Sequence, residues 1–478
     1  MSALIVVFFP IFFSFLLYVI TEKTNIARFV ALTLFLGMFG ESIFLYFHLP
    51  QSGFMSLGHF LEIDYFDFTL TFAVDKLSVI MLVLTSILLL LVTLSSWHIE
   101  KSSAYFSLLV FFSGAIFGVF MSTNLLWFFI FWELTLIPMY FLIGIWGAEE
   151  RVYAAVKFFL YTHVASMLIL LAFFLLHKQS GTFDMTLIKE SVLVTPALIW
   201  WLLFVGFAVK MPLFPFHTWL PDAHVQAPAP VSVLLAGVLL KMGAYAMIRM
   251  VLLMLPHQAQ KYVWILLLLG VISLVYSAFM ALYETHLKKM VAYSSISHMG
   301  LVAIAMATLS YDGLSSAVYE MIGHAFIIAP LFLIAGFFHH KTGSWQMQEM
   351  GGIMRKAPYI SLIFIIAGLG ALGFPATMGF VGEISILISS IEKYGLWLIV
   401  VAFTSMLSAS YIIWTFRRVI YGSMSILVEK TDFSISKMEF FALIIFTFFI
   451  IVFGVYPQAL FSIINDTFSS YTSLGGGV

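Results

Sequence analysis

The run KMPLFPFHTWLP (residues 210–221) decides how this chain is read, because it interrupts a stretch otherwise apolar enough to cross a membrane. Proline has no backbone N–H and its ring clashes with the preceding turn, so a helix cannot pass through Pro212, Pro215 and Pro221 unbroken. A second run, GFPATMGFVGE (373–383), breaks another apolar stretch in the same manner. Unwound backbone at membrane depth is tolerated only where it is buried in protein or lines a wet cavity. Either break alone is weak evidence, since a proline kink is common in membrane helices. Paired breaks in matching positions point to an ion path at mid-membrane.

The rest of the sequence supports a membrane setting. Hydrophobic residues make up 62% of the 478, charged residues only 9%, and 52 are Phe, which places the chain among polytopic helical membrane proteins. A span needs about 20 mostly apolar residues. On that criterion about fourteen are predicted, near 2–20, 28–47, 77–97, 104–121, 125–146, 153–176, 197–212, 229–254, 262–283, 289–309, 314–337, 358–390 (interrupted), 396–416 and 439–461. Between Pro50 and Lys76 the alternation of Phe66, Phe68, Leu70 and Phe72 predicts a small extramembrane hairpin. The first apolar stretch has neither a basic leader nor a small-residue cleavage site, so it reads as a retained helix. With no Cys there is no disulfide, no Cys-ligated iron–sulfur cluster and no thiolate zinc site in the chain. A net charge of −1 argues against nucleic acid and anionic surfaces as partners.

The expected architecture is all-α: one transmembrane domain, 1–478, holding two inverted five-helix repeats at about 104–254 and 262–420, with helices 7 and 12 broken. An odd number of helices per repeat is what inverts the second copy. Orientation follows from the Lys/Arg bias of the loops. Thirteen basic residues (Lys23, Arg28, Lys101, Arg151, Lys288, Lys289, Lys341, Arg355, Lys356, Arg417, Arg418, Lys430, Lys437) fall on one side and six (Lys76, Lys178, Lys189, Arg249, Lys261, Lys393) on the other. Both termini are therefore expected on the non-cytoplasmic side.

Charged residues lie inside these stretches, and Glu133, Lys157, Lys210, Lys241 and Glu383 stand out among them. A charge at the bilayer centre costs at least about 2.5–3.5 kcal/mol, so residues of this kind usually mark an ion or proton path. The alternative is a set of static ion pairs that only fix helix packing. Glu133 sits near the middle of its stretch, with Pro138 loosening the backbone one turn later. Burial favours the neutral form of an acid or base and an opposite charge favours the ionised form, so whether Glu133 meets Lys210 decides both protonation states. Lys241 is flanked by Ala236, Gly237 and Ala244, small residues that permit close helix approach or leave room for water; it reads as a relay between two half-channels. Glu383 follows the second break and reads as the exit acid. Ser294 with His298, and Tyr293 with Ser297, are spaced four apart on a helix and form stripes suited to water wires. His163, His217 and His324 also lie in or beside spans, and imidazole titrates near neutral pH. Glu320, one turn before His324, is expected to pair with it locally.

Three runs, KMPLFPFHTWLPDAHVQAPAPVSVLLAGVLLKMGAYAMIR (210–249), ETHLKKMVAYSSISHMG (284–300) and WELTLIPMY (132–140), resemble the proton-pumping, Mrp-antiporter-like membrane subunits of respiratory complex I. The similarity covers about residues 75–420. It is strongest to the NuoM type, which carries a glutamate at the broken twelfth helix, as in GFVGE with Glu383. The resemblance implies that Glu133 and Lys210 form a coupling pair, that Lys241 is the central lysine and Glu383 the terminal acid. It further implies proton translocation coupled to electron transfer from NADH, or a related donor, to quinone. The chain itself would hold no cofactor, with flavin, iron–sulfur clusters and quinone in partner subunits of the membrane assembly. His163 departs from the family, where Gln is frequent. A Mrp-type cation/proton antiporter subunit and a membrane-bound hydrogenase subunit share this module. A haem carrier would need paired histidines on facing helices, and here they are scattered.

Overall fold

A computed structural model describes residues 2–21, 26–50, 53–63, 68–97, 99, 102–191, 196–396 and 399–468. Lys23, Phe66, Lys101 and the stretch 469–478, which bear on the expected hairpin and orientation, lie outside the described residues. Every one of the fourteen apolar stretches contains helix. A helix satisfies its own backbone groups where no water can. Among the described residues, ten helices are both long and apolar enough to cross a membrane, and Ala3–Val19, Ala197–Lys210 and Pro358–Ala371 are shorter apolar helices.

Helix ends follow local chemistry. Asn124 caps the Leu125–Leu134 helix by accepting from the N–H groups of Leu126 and Trp127 at 2.9 and 3.4 Å. Ser436 and Glu439 close a reciprocal capping box before Lys437–Val455. The 125–146 stretch is not one continuous helix: it is interrupted at Thr135 and resumes as Leu136–Trp146. Pro138 cannot donate to the carbonyl of Leu134, which releases the turn just past Glu133.

Both expected breaks are present. Ala197–Lys210 gives way to turns and restarts as Trp219–Gln226. Within this break the Phe214 N–H donates to Ser273 Oγ at 2.8 Å, so a freed backbone donor is satisfied by a side chain. Pro358–Ala371 and Met378–Tyr394 flank the second break. It turns through Gly373 at φ +71°, a backbone region closed to most L residues. Gly379 faces the Gly370 carbonyl so closely that a Cβ there would collide with it.

The chain divides into two compact units, one comprising Met1–Lys210, Met242–Tyr262 and Asp466–Val478, the other Met211–Lys241 and Val263–Asn465. In the first, Ser2–Thr21 packs along Ser102–Met121, and Arg151–Ser180 along Ala197–Lys210. It also contains the hairpin, Phe54–Ile63 paired antiparallel with Phe68–Asp75 from Phe54↔Asp75 to Ile63↔Phe68. Leu70 and Phe72 are 5% and 0% exposed, but Thr71 and Ala73 between and beside them are buried as well, at 4% and 6%, so this strand is covered on both faces and does not show the one-sided burial that alternation alone predicts.

In the second unit, Leu287–Ala307 and Tyr311–Thr342 pack together and are almost wholly buried. Leu287–Ala307 reaches its neighbour Pro256–Tyr283 through facing glycines. A Cβ on Gly300 would lie 2.7 Å from both Gly270 O and Leu274 N. Gly300→Ala must therefore push two backbones apart, and is expected to cost about 1–3 kcal/mol as overpacking. A lowered midpoint in thermal unfolding of the detergent-solubilised protein checks this; an unchanged midpoint would show that the helices separate freely.

Candidate functional site

The ionisable residues inside the helices gather in two places, one in each unit. In the first unit, Glu133 ends the Leu125–Leu134 helix beside the Thr135 interruption, and His163 projects from Arg151–Ser180. His163 Nδ1 lies 2.6 Å from Glu133 Oε2, with side chains 40% and 21% exposed. Glu133 Oε1 is buried with no hydrogen-bond partner among the described residues. Lys210, the last residue of Ala197–Lys210, is 1% exposed. Its Nζ makes no hydrogen bond among the described residues and lies 5.2 Å from the centre of the Trp132 ring and 5.9 Å from that of Phe158. Aromatic faces attract a cation without fixing its direction. Trp132 is itself anchored, its indole N–H donating to Ser166 Oγ at 3.2 Å.

The expected Glu133–Lys210 contact is thus not made in this conformation: the acid is held by His163 and the lysine by rings. The sequence places His163 in a span but does not indicate its partner. Lys157, on the same helix as His163, lies 5.6 Å from the Tyr153 ring centre. His217, in the first break and belonging to the second unit, stacks on Phe214 at 5.7 Å and packs against Tyr276 at 5.3 Å.

The second unit holds a longer row. Lys241 Nζ donates to Ala236 O at 2.7 Å and lies 2.6 Å from His324 Nδ1. The lysine follows a π-helical segment, Leu235–Leu239, and such widened turns recur at functional sites. The small residues around Lys241 read from the sequence line a fully buried helix. The His324 ring centre is 5.4 Å from that of His298, and His298 Nδ1 lies 2.8 Å from Glu320 Oε1. Lys241, His298, Glu320 and His324 are 1%, 4%, 1% and 2% exposed.

Glu320 therefore pairs with His298 on the neighbouring helix and not with His324, one turn along its own. Side chains four apart on a helix are close, but here both project towards different partners. Glu320 Oε2 fills the space beside Gly382, where a Cβ would collide with it. In the same way the Glu383 carboxylate occupies the space a Cβ on Gly373 would need, which seats this acid on the turn of the second break. The hydroxyl stripes are present, with Ser294 and Ser297 donating to the carbonyls of Val291 and Leu274 at 2.8 and 3.0 Å.

Two residues of this unit were not singled out by sequence. His224 is fully buried and stacked on Phe332 at 4.6 Å. Lys288, 1% exposed, donates to Ala227 O and, at 3.3 Å, to Val225 O. Lys288 lies in the first turn of its helix, where the sequence alone suggests a loop-side charge; only folding buries it. Next to it, outside the spans, burial and then the Lys288 charge hold the His286 imidazole down at about 4. The neutral ring can then accept the Lys289 N–H at 3.2 Å as an N-cap. Among the described residues no group of three or more His, Cys, Asp or Glu is arranged to hold a metal ion.

Interrupted helices enclosing rows of buried acids, lysines and histidines define a class of polytopic helical membrane protein. A family model described as NADH:quinone oxidoreductase/Mrp antiporter, transmembrane, matches residues 122–408. The chain is 36% identical over 398 residues to NADH-quinone oxidoreductase subunit M of Rickettsia prowazekii, covering 82% of this chain and 81% of that relative. It is 38% identical over 427 residues to an NAD(P)H-quinone oxidoreductase chain 4 of Picosynechococcus, covering 86% and 80%. It shares its fold with a chain of respiratory complex I from Thermus thermophilus, at a TM-score of 0.88 and 23% identity over 99% of this chain and 100% of that one. The chain belongs to the NADH:quinone oxidoreductase/Mrp antiporter transmembrane family.

Proposed function

We propose that this chain is the proton-translocating M-type membrane subunit of an NADH:quinone oxidoreductase, in the inner membrane of a bacterium with both termini on the non-cytoplasmic side. Electron transfer proceeds in partner subunits that hold flavin, iron–sulfur clusters and quinone. This chain supplies the proton path through Glu133, Lys210, Lys241, His298, His324 and Glu383, with Lys157 and His217 beside it. Fourteen spans and inverted repeats at 104–254 and 262–420 complete the proposal.

The observation that carries it is the buried row Lys241–His324–His298–Glu320. Burying four ionisable groups costs far more than an apolar replacement would, and a packing role would not need two imidazoles in line. The Lys241–His324 contact holds one proton between two nitrogens. When the ammonium donates to Nδ1, His324 carries its own proton on Nε2, which has no hydrogen-bond partner among the described residues, and a ring turn towards His298, 5.4 Å away centre to centre, would hand that proton on. The same row would serve a Mrp-type cation/proton antiporter, a reading favoured by the family's shared description.

Purification from native membranes with identification of the associated subunits separates the two. Redox subunits in the complex support the oxidoreductase; antiporter subunits alone overturn it. Variants at Glu383 test the exit. Glu383→Lys keeps a titratable group on the turn and is expected to retain substantial proton uptake in inverted vesicles, whereas Glu383→Ala loses most of it. Parental uptake in an assembled Glu383→Ala complex would remove this acid from the path. Total loss in Glu383→Lys would mean that the sign of the charge matters more than its proton.

A further inference from the structure

Glu133 is held through one oxygen only. His163 Nδ1 engages Oε2 at 2.6 Å, while Oε1 is buried with no partner among the described residues. Lys210 Nζ, on the Ala197–Lys210 helix that packs along the His163 helix, likewise makes no hydrogen bond among the described residues. The two ends of a second contact are therefore present and unjoined. The His163 ring is fixed in its plane by Phe159, stacked one turn earlier at 5.5 Å and 11°.

We propose that His163 is a proton-holding partner of Glu133: the acid receives its proton on Oε2 from the imidazole and then rotates so that this O–H faces the neutral Lys210 amine, which accepts the proton and leaves the carboxylate. This rests on the reading above that Glu133 carries protons. In the transfer, one proton moves from Nδ1 to Oε2, converting imidazolium and carboxylate into imidazole and carboxylic acid. The pair has no net charge before or after, so the step moves no net charge into apolar surroundings. With 40% of its side chain exposed on this chain, against 21% for Glu133, the imidazole is the member that a proton-bearing group of a partner subunit could reach. The helices packed along its own bring Glu133, Tyr140 and Lys210 as ionisable groups, and its own helix carries Arg151, Tyr153, Lys157, Tyr161, His177 and Lys178.

The test is the pH profile of redox-driven proton uptake by the whole complex in inverted vesicles, for the parent, His163→Gln and Glu133→Gln. Glutamine keeps a side-chain N–H for Glu133 but holds no exchangeable proton at accessible pH. His163→Gln is expected to assemble, to lose uptake severalfold and to displace the profile by about one pH unit, the scale of losing a neighbouring titratable charge. A His163→Gln profile superimposable on the parent's overturns the proposal. So does failure of His163→Gln to assemble, since the ring would then be a packing element. Glu133→Gln separates the layers: if it pumps normally, the function proposed for the acid itself fails. If it is inactive while His163→Gln matches the parent, only the role of His163 falls.

Discussion

Glu133→Ala is expected to cut redox-driven proton uptake by roughly a hundredfold in a complex that still assembles, the scale of removing a positioned acid–base group. Among the described residues the carboxylate makes one hydrogen bond, with a part-exposed His163, and its other oxygen makes none. Deleting it therefore removes little that packing depends on. The Thr135 interruption beside it is caused by Pro138 and does not need the acid. Glu133→Asp, one methylene shorter, keeps a titratable group at the wrong distance and should retain part of the activity. Quinone reduction and proton uptake measured together in inverted vesicles provide the check. Normal pumping by an assembled Glu133→Ala complex would leave the acid no coupling role.

Lys210→Arg should assemble and yet pump at about a tenth of the parental rate or less. The guanidinium stacks on aromatic faces at least as well as an ammonium, so the seat between Trp132 and Phe158 would accept it. It cannot be deprotonated in a protein, so it can balance a charge but cannot relay a proton. Assembly judged by the subunit content of the purified complex, and pumping by the pH change in vesicles, separate these two capacities. Parental pumping by Lys210→Arg would make the lysine a static counter-ion.

Much of the site was legible because a charged or broken residue inside an apolar run stands out against its background. Lys241 and Glu383 needed no partner to be noticed. His163 was noticed but not paired, and Glu320 was paired with the wrong histidine. Its true partner, His298, lies 22 residues away on the preceding helix, whereas helical spacing favoured His324. Lys288 and His224 were passed over because nothing in their neighbours announces that folding will bury them.

The sequence by itself determined that the chain is a row of apolar helices, that two of them break at Pro- and Gly-rich runs, and that a few ionisable residues sit inside. Those outcomes depend on local chemistry: apolar length, missing backbone donors, positions open only to glycine. Only the tertiary structure decided which ionisable groups meet. His163 reaches Glu133 across 30 residues, and Lys241 reaches His324 across 83. A hydrogen bond tolerates a few tenths of an ångström. The rotation and crossing of each helix, set jointly by packing such as Gly300 against Gly270, decide whether that tolerance is met.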